Sequence, residues 1–268
     1  MEEKALRLSA VFLMILTAVS FVLLPKLPAL HTWEVEAREE RIAEEEFAQS
    51  QVTMQNLKIK EQNEAAGAKG ELSIRLPEGV TGDQIAVSND YVTQTIRVEI
   101  PQADRTYFDS YPVLGNSDYI DGLSYTRQGE MGVIEVTTNK VYELQTEYDA
   151  QNFYFNFLTP HEVYDKVVVI DAGHGGRAVG ANKQGINEKD IDLAIVLKLK
   201  EIFDNSDQNI GVYYTRTDDS NPTFDQRVQL ANKSDADLFI SIHNNSTRSG
   251  RMSGTSGTQV MYDETSEA

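Results

Sequence analysis

Val167-Val-Val-Ile-Asp-Ala-Gly-His-Gly-Gly176 decides how this chain folds. Four β-prone apolar residues run into a polar, glycine-rich turn that carries a single histidine, His174. A strand that stops at Asp-Ala-Gly-His-Gly-Gly presents the imidazole at its carboxyl end, where open α/β sheets collect their ligands. The same step recurs in Ala236-Asp-Leu-Phe-Ile-Ser-Ile-His-Asn-Asn245, an apolar run that ends on His243. Between the two, Glu188 opens an amphipathic helix. With parallel strands, two imidazoles and one carboxylate meet at one edge of the sheet. That is the donor set of a catalytic zinc whose fourth position is left to water.

The surrounding rhythm is β-α-β from Asp165 onward. A helix is predicted over Ile191 to Phe203, a strand over Ile210 to Thr215, and a helix over Thr223 to Asn232 with Phe224, Val228 and Leu230 inward. Leu238 to Ile242 reads as the next strand, and Gly257 to Tyr262 as the start of a fourth. Strands alternating with helices imply a mostly parallel sheet with helices on its faces. The Gly-, Ser- and Arg-rich run from Ser246 to Ser256 reads as a loop beside His243.

Upstream the texture changes. Leu72 to Leu76, Thr95 to Ile100, Gly132 to Thr137 and Asn152 to Phe157 alternate like half-buried strands, with Pro and Gly at the turns. A small all-β, sandwich-like domain is expected there. Its tyrosines are read as half-buried sandwich residues in preference to a glycan-stacking face. Residues 33–66 carry dense charge and sparse apolar positions, and read as an acidic helical stalk. Leu8 to Pro25 is uncharged and apolar, follows Lys4 and Arg7, and precedes the acidic run from Glu34 to Glu46. It is expected to be an uncleaved transmembrane helix oriented N-in, with a cleaved signal peptide as the competing reading. The expected division is residues 1–30 for tip and anchor, 31–69 for the stalk, 70–162 for the β-rich domain and 163–268 for the α/β domain.

Composition narrows the function. The 268 residues are 40% hydrophobic and 25% charged, with a formal net charge of −18. That acidity argues against nucleic acid as a partner, since phosphate binding needs clustered Lys and Arg. With no cysteine, disulfides, thiolate metal sites and a cysteine nucleophile are excluded. Of the four histidines, His31 sits beside the membrane segment and His161 in an interdomain link, which leaves His174 and His243. Asp190 and Asp192 rival Glu188 as a third donor, and Asp171 is a candidate to orient a ligand imidazole. Arg216 and Arg227 stand near the same edge, either for a substrate carboxylate or, as the leading reading, for ordinary ion pairing. Nitrogen and oxygen donors in a tetrahedral set fit zinc better than calcium or magnesium.

Asp171-Ala-Gly-His-Gly-Gly176, Asn187-Glu-Lys-Asp190, Thr215-Arg-Thr-Asp-Asp219, Arg227 with Ala231-Asn232, and Ser241-Ile-His-Asn-Asn245 together resemble zinc-dependent N-acetylmuramoyl-L-alanine amidases. These are the amidase-3-type cell-wall hydrolases. The resemblance runs over residues 165–268 and implies His174, Glu188 and His243 as ligands of Zn2+. It also implies cleavage of the amide between N-acetylmuramic acid and the L-alanine of the stem peptide. Residues 71–160 are weakly similar to the AMIN modules that precede such enzymes and hold them at the wall. The family's catalytic glutamate lies on a later strand, beyond Ala268, and Glu264 and Glu267 sit in the wrong context to replace it. The expectation is an α/β domain incomplete at its C-terminus and a chain that, as given, is impaired in catalysis even with zinc bound. The alternatives are a wall-binding or regulatory protein without the general base, or a peptidase on the same metal frame. Expected partners are peptidoglycan, the membrane through the N-terminal helix, and a divisome or activator protein as a candidate. The expected place is the wall side of the cell membrane, single-pass, with secretion as the alternative.

Overall fold

The computed structural model describes residue 35 and residues 37–46, 55–61, 70–244, 254 and 257–262. The anchor expected over Leu8 to Pro25, and His31, lie outside the described residues. Among the described residues no helix is long and apolar enough to cross a membrane.

The β-rich part holds two five-stranded sheets. One runs in the order β1 (Gln55–Asn56), β7 (Ile120–Gln128), β8 (Met131–Thr138), β5 (Thr95–Pro101) and β4 (Ala86–Asp90), antiparallel throughout. The other runs β2 (Lys60–Glu61), β6 (Leu114–Gly115), β3 (Leu72–Arg75), β10 (Asn152–Leu158) and β9 (Glu143–Tyr148). Every second residue of β5 and β10 is buried, as a strand with one face on a core requires. Ile96, Val98 and Ile100 from one sheet and Phe153, Phe155 and Phe157 from the other join a single apolar cluster. Each such side chain stabilises the fold by about 1.5–3 kcal/mol through burial. A short helix, Arg105–Ser110, is capped by the Asp104 carboxylate, which accepts from the Tyr107 amide at 2.9 Å. Of the tyrosines, Tyr125 and Tyr142 are buried while Tyr111 and Tyr148 are exposed.

The α/β part is a three-stranded parallel sheet in the order β14 (Ile210–Tyr214), β11 (Lys166–Ala172) and β15 (Leu238–Ile242). β11 is central and buried on both faces, which is why it reads as an unbroken apolar run. Val167 and Val169 pack on one side with Tyr213, Leu230 and Val141. Ile170 and Ala172 pack on the other with Val196. Val141 belongs to the β-rich part, and its amide donates to the Lys233 carbonyl at 3.0 Å, so the two parts share a packed seam.

A two-stranded antiparallel ladder, β12 (Asn182–Lys183) and β13 (Ile186–Asn187), leads into the first of two helices that flank the sheet. One spans Glu188–Asp204 and starts three residues before its apolar pattern does. The pattern overstated its buried face: Val196 is fully buried and Leu199 and Phe203 pack inward, but Ile191, Ile195, Leu197 and Ile202 are exposed. The other spans Phe224–Lys233, and Thr223 closes a capping box with Gln226. Here Arg227 and Leu230 point inward, and Phe224 and Val228, expected inside, are exposed. The fourth strand expected from Gly257 is not formed. Residues 258–262 carry no regular structure, and Val260, Met261 and Tyr262 are 78–81% exposed, so no burial offsets the entropy of ordering them.

Residues 37–46 form a helix, α1. It lies against the α/β part and does not stand clear in solvent as a stalk would. Ala43 is 2% exposed, and the guanidinium of Arg177 pairs with Glu45 and Glu46.

Candidate metal centre

β11 and β15 run parallel with Asp171 opposite Ser241 and Ala172 opposite Ile242. His174 and His243 therefore leave the carboxyl ends of neighbouring strands at nearly the same level. The turn that carries His174 is held in an uncommon backbone shape: φ is 58° at His174 and 136° at Gly175. A non-glycine residue in that left-handed region is strained, and such strain collects at functional sites. Only glycine fits at 175, because a Cβ there would lie 2.1 Å from the Ser220 carbonyl oxygen.

Two buried guanidiniums fix this turn. Arg227 donates to the Asp171 carboxylate and to the carbonyls of Ala172 and His174. Arg216 donates to the carbonyls of Ala172, Gly173, Asp218 and Lys189. Both guanidiniums are buried and engaged by these partners, so the ion-pairing role applies to Arg227 and a carbonyl-clamping role to Arg216. Asp171 does not orient an imidazole. It accepts instead from Thr215, Ser241 and Arg227. Burial raises its pKa, yet the Arg227 charge and those hydroxyls outweigh burial and hold it below the ordinary value.

Glu188 sits in the first turn of its helix, where a carboxylate is favoured by the helix dipole. Its Oε2 accepts from the Ala181 amide at 2.8 Å, and its Oε1 accepts from the Asn244 amide at 2.9 Å. Both oxygens are thus anchored by backbone, with Oε1 aimed between the imidazoles. His174 Nε2 and His243 Nδ1 are 3.1 Å apart, and each is 3.2 Å from Glu188 Oε1. Bonds of zinc to nitrogen and oxygen near 2.0–2.1 Å imply donor–donor edges of about 3.3–3.4 Å in a tetrahedron. The observed triangle is slightly smaller than that and leaves one apex open.

Burial disfavours a charged His174, but hydrogen bonds to Glu188 and Glu39 outweigh it and push its pKa up to about 9. Burial likewise opposes a charged Glu188, and its bonds to both imidazoles pull its pKa well below the usual carboxylate range. The donors attract positive charge strongly.

Asp192 is the fourth member of the group, whose ligand atoms all lie within 4.8 Å of one another. It is fully buried. Its Oδ1 accepts from the Asn244 side chain at 2.6 Å, while its Oδ2 has no hydrogen-bond partner. Burial pushes its pKa up to about 6. An orphaned, buried carboxylate oxygen beside three convergent donors is one that a bound cation would satisfy. Asp190, the other rival, instead accepts from the Asn187 side chain. His161 is exposed and contacts the Asp235 carbonyl, away from this group.

The donors open into a cavity of about 580 Å³, whose walls include Ala178, Asn221, Phe239 and Ser241. Another part of its wall is Val35 together with Glu39, Glu40 and Ala43 of α1. Sequence reasoning missed that wall, since nothing local ties an acidic helix to a turn so far downstream. A Cβ on Gly173 would come within 2.4–2.6 Å of the His243 ring. Gly173→Ala should therefore push that half-exposed imidazole out of the triangle and leave the fold intact. Zinc titration should show affinity weakened by about tenfold or more, of the order seen when a metal ligand loses its orientation. An unchanged affinity would show that His243 is not a donor.

Residues 168–268 match the family model described as N-acetylmuramoyl-L-alanine amidase, of the amidase-3 type. The endolysin of Bacillus phage SPP1 is 45% identical over 86 residues, which cover 32% of this chain and 31% of the endolysin. CwlM of Bacillus licheniformis, named an N-acetylmuramoyl-L-alanine amidase, is 41% identical over 78 residues, 29% of this chain and 31% of CwlM. The solved catalytic domain of CwlV, an amidase of the same name from Bacillus (Paenibacillus) polymyxa, is 41% identical with a TM-score of 0.30, covering 31% of this chain and 47% of that one. The chain spans about a third of the length of these curated relatives.

Proposed function

We infer from the amidase-3-type segment at residues 168–268 that this protein hydrolyses peptidoglycan at the amide between N-acetylmuramic acid and the L-alanine of the stem peptide. The observation that carries the reading is the donor triangle of His174 Nε2, Glu188 Oε1 and His243 Nδ1, with edges of 3.1–3.2 Å and one apex free. These three residues would hold zinc. When bound, zinc lowers the pKa of a water towards neutrality and polarises the scissile carbonyl. The chain's own contribution is rigidity. Arg216 and Arg227 clamp the His174 turn, and the Ala181 and Asn244 amides fix the Glu188 carboxylate. The free apex opens on a cavity large enough for a muramyl-peptide segment.

The rest of the chain is assigned on the same footing. Residues 70–162 are an AMIN-like module that holds the α/β part at the wall. Leu8 to Pro25 is a single-pass anchor that places both on the outer side of the membrane. The test is direct: incubate the purified protein, zinc-loaded, with purified peptidoglycan and weigh the soluble products. Intact stem peptides bearing a free L-alanine amine are the expected products, released slowly because none of these residues is assigned as the general base. Products cut within the stem peptide would instead make it a peptidase, and zinc binding with no products would favour a non-catalytic wall-binding role.

A further inference from the structure

The imidazole of His174 is contacted at both nitrogens. Its Nε2 belongs to the donor triangle, while its Nδ1 lies 3.0 Å from the Glu39 carboxylate, 135 residues earlier in the chain. Both side chains are largely buried, at 12% and 19% exposure. Glu39 is held in place by the rest of α1. The neighbouring Glu40 carboxylate accepts from the Phe224 amide at 2.7 Å, in the exposed first turn of the 224–233 helix, where a negative charge is favoured. One turn on, Ala43 is buried, and the Glu46 carboxylate accepts from the Arg177 amide at 3.1 Å and from its guanidinium at 3.0 Å.

We propose that Glu39 is a positioning residue of the metal centre, supplied by the N-terminal acidic helix. By accepting from Nδ1–H it fixes the tautomer in which Nε2 carries the free lone pair, and it sets the plane of the ring against Glu188 and His243. A carboxylate behind a ligand imidazole also raises its basicity, which strengthens the bond to the metal. The inference rests on the zinc reading above and adds to it a dependence on the distant segment. The metal centre is then built from both ends of the described chain, and docking of α1 and metal affinity are coupled.

The experiment compares zinc dissociation constants of the full chain, wild type, Glu39→Gln and Glu39→Ala, by competition with a chromophoric chelator. Glu39→Ala should weaken zinc by about 10–100-fold, the usual effect of losing an outer-shell partner. Glu39→Gln should lose less, because its amide oxygen still accepts from Nδ1–H without the charge. A merely structural role for α1 predicts no such grading. In nitrogen-labelled, zinc-loaded protein, the slowly exchanging Nδ1–H proton of His174 should be present in the wild type and lost in Glu39→Ala. Wild-type zinc affinity in both variants, or an unaltered Nδ1–H signal in Glu39→Ala, would overturn the proposal. A wild type that binds no zinc would overturn the metal reading itself, and this one with it.

Discussion

Arg227→Ala should destabilise the fold by about 3–5 kcal/mol, the range for stripping one partner from a buried ion pair. Arg227 and Asp171 are both about 95% buried, with side-chain exposures of 6% and 5%. Truncation leaves the Asp171 carboxylate in a dry site with only the Thr215 and Ser241 hydroxyls to meet it. It also releases the carbonyls of His174 and Pro222 and removes one of the two donors to the Ala172 carbonyl, so the turn under the histidines keeps only the Arg216 clamp. Denaturant unfolding at neutral pH measures the loss. A variant within about 1 kcal/mol of wild type would mean that the pair carries no more than a surface contact does.

The same pair sets an acid limit. Asp171 has a folded pKa below its ordinary value of 3.8, with burial opposed by Arg227, Ser241 and Thr215. A depressed carboxylate contributes stability that is present above its unfolded pKa and lost as pH falls through the folded one. Wild-type stability should therefore drop below about pH 4. Asp171→Asn, which cannot ionise, should show a flatter dependence across that window while being less stable at pH 7.

Some of this architecture was open to reading in one dimension and some was not. β11 is legible because a strand buried on both faces must be apolar at every position from Val167 to Ile170. Leu238–Ile242 is legible as an apolar run broken only by Ser241, although among the described residues it lies at the sheet edge with Leu238, Phe239 and Ile240 exposed. The meeting of His174 with His243 follows from parallel pairing alone, because register brings the two strand ends level. Asp171 misled because a spacing of three residues says nothing about direction once the chain turns through a positive φ at His174. Charge misled at α1. A dense acidic run reads as solvated, and only the folded molecule sets Glu39 against an imidazole and Glu46 against Arg177. Apolar periodicity likewise marked the 188–204 helix without saying how much of its surface the sheet would cover, which is one stripe through Val196.

Replacing His243 by Ala should abolish stoichiometric zinc at micromolar metal, with affinity falling by more than the roughly 100-fold that marks the upper end of outer-shell effects. His243 is the cleanest of the three donors to remove, since its side chain is 47% exposed while those of His174 and Glu188 are 12% and 9% exposed. Its loss deletes a vertex of the triangle at little expense to packing. Glu188→Ala should lose the metal and also loosen the loop, because the Ala181 and Asn244 amides both depend on that carboxylate. In the metal-free chain His174 is raised to about 9, as bonds to Glu188 and Glu39 outweigh burial, so an imidazolium there must give up its proton as a metal enters. Two imidazoles and a carboxylate within 3.2 Å of one another are costly to assemble without a cation or a proton among them. Metal analysis of wild type and His243→Ala, with circular dichroism to show that both are folded, decides the matter. Equal zinc content in the two would mean that the triangle is held together by hydrogen bonds alone.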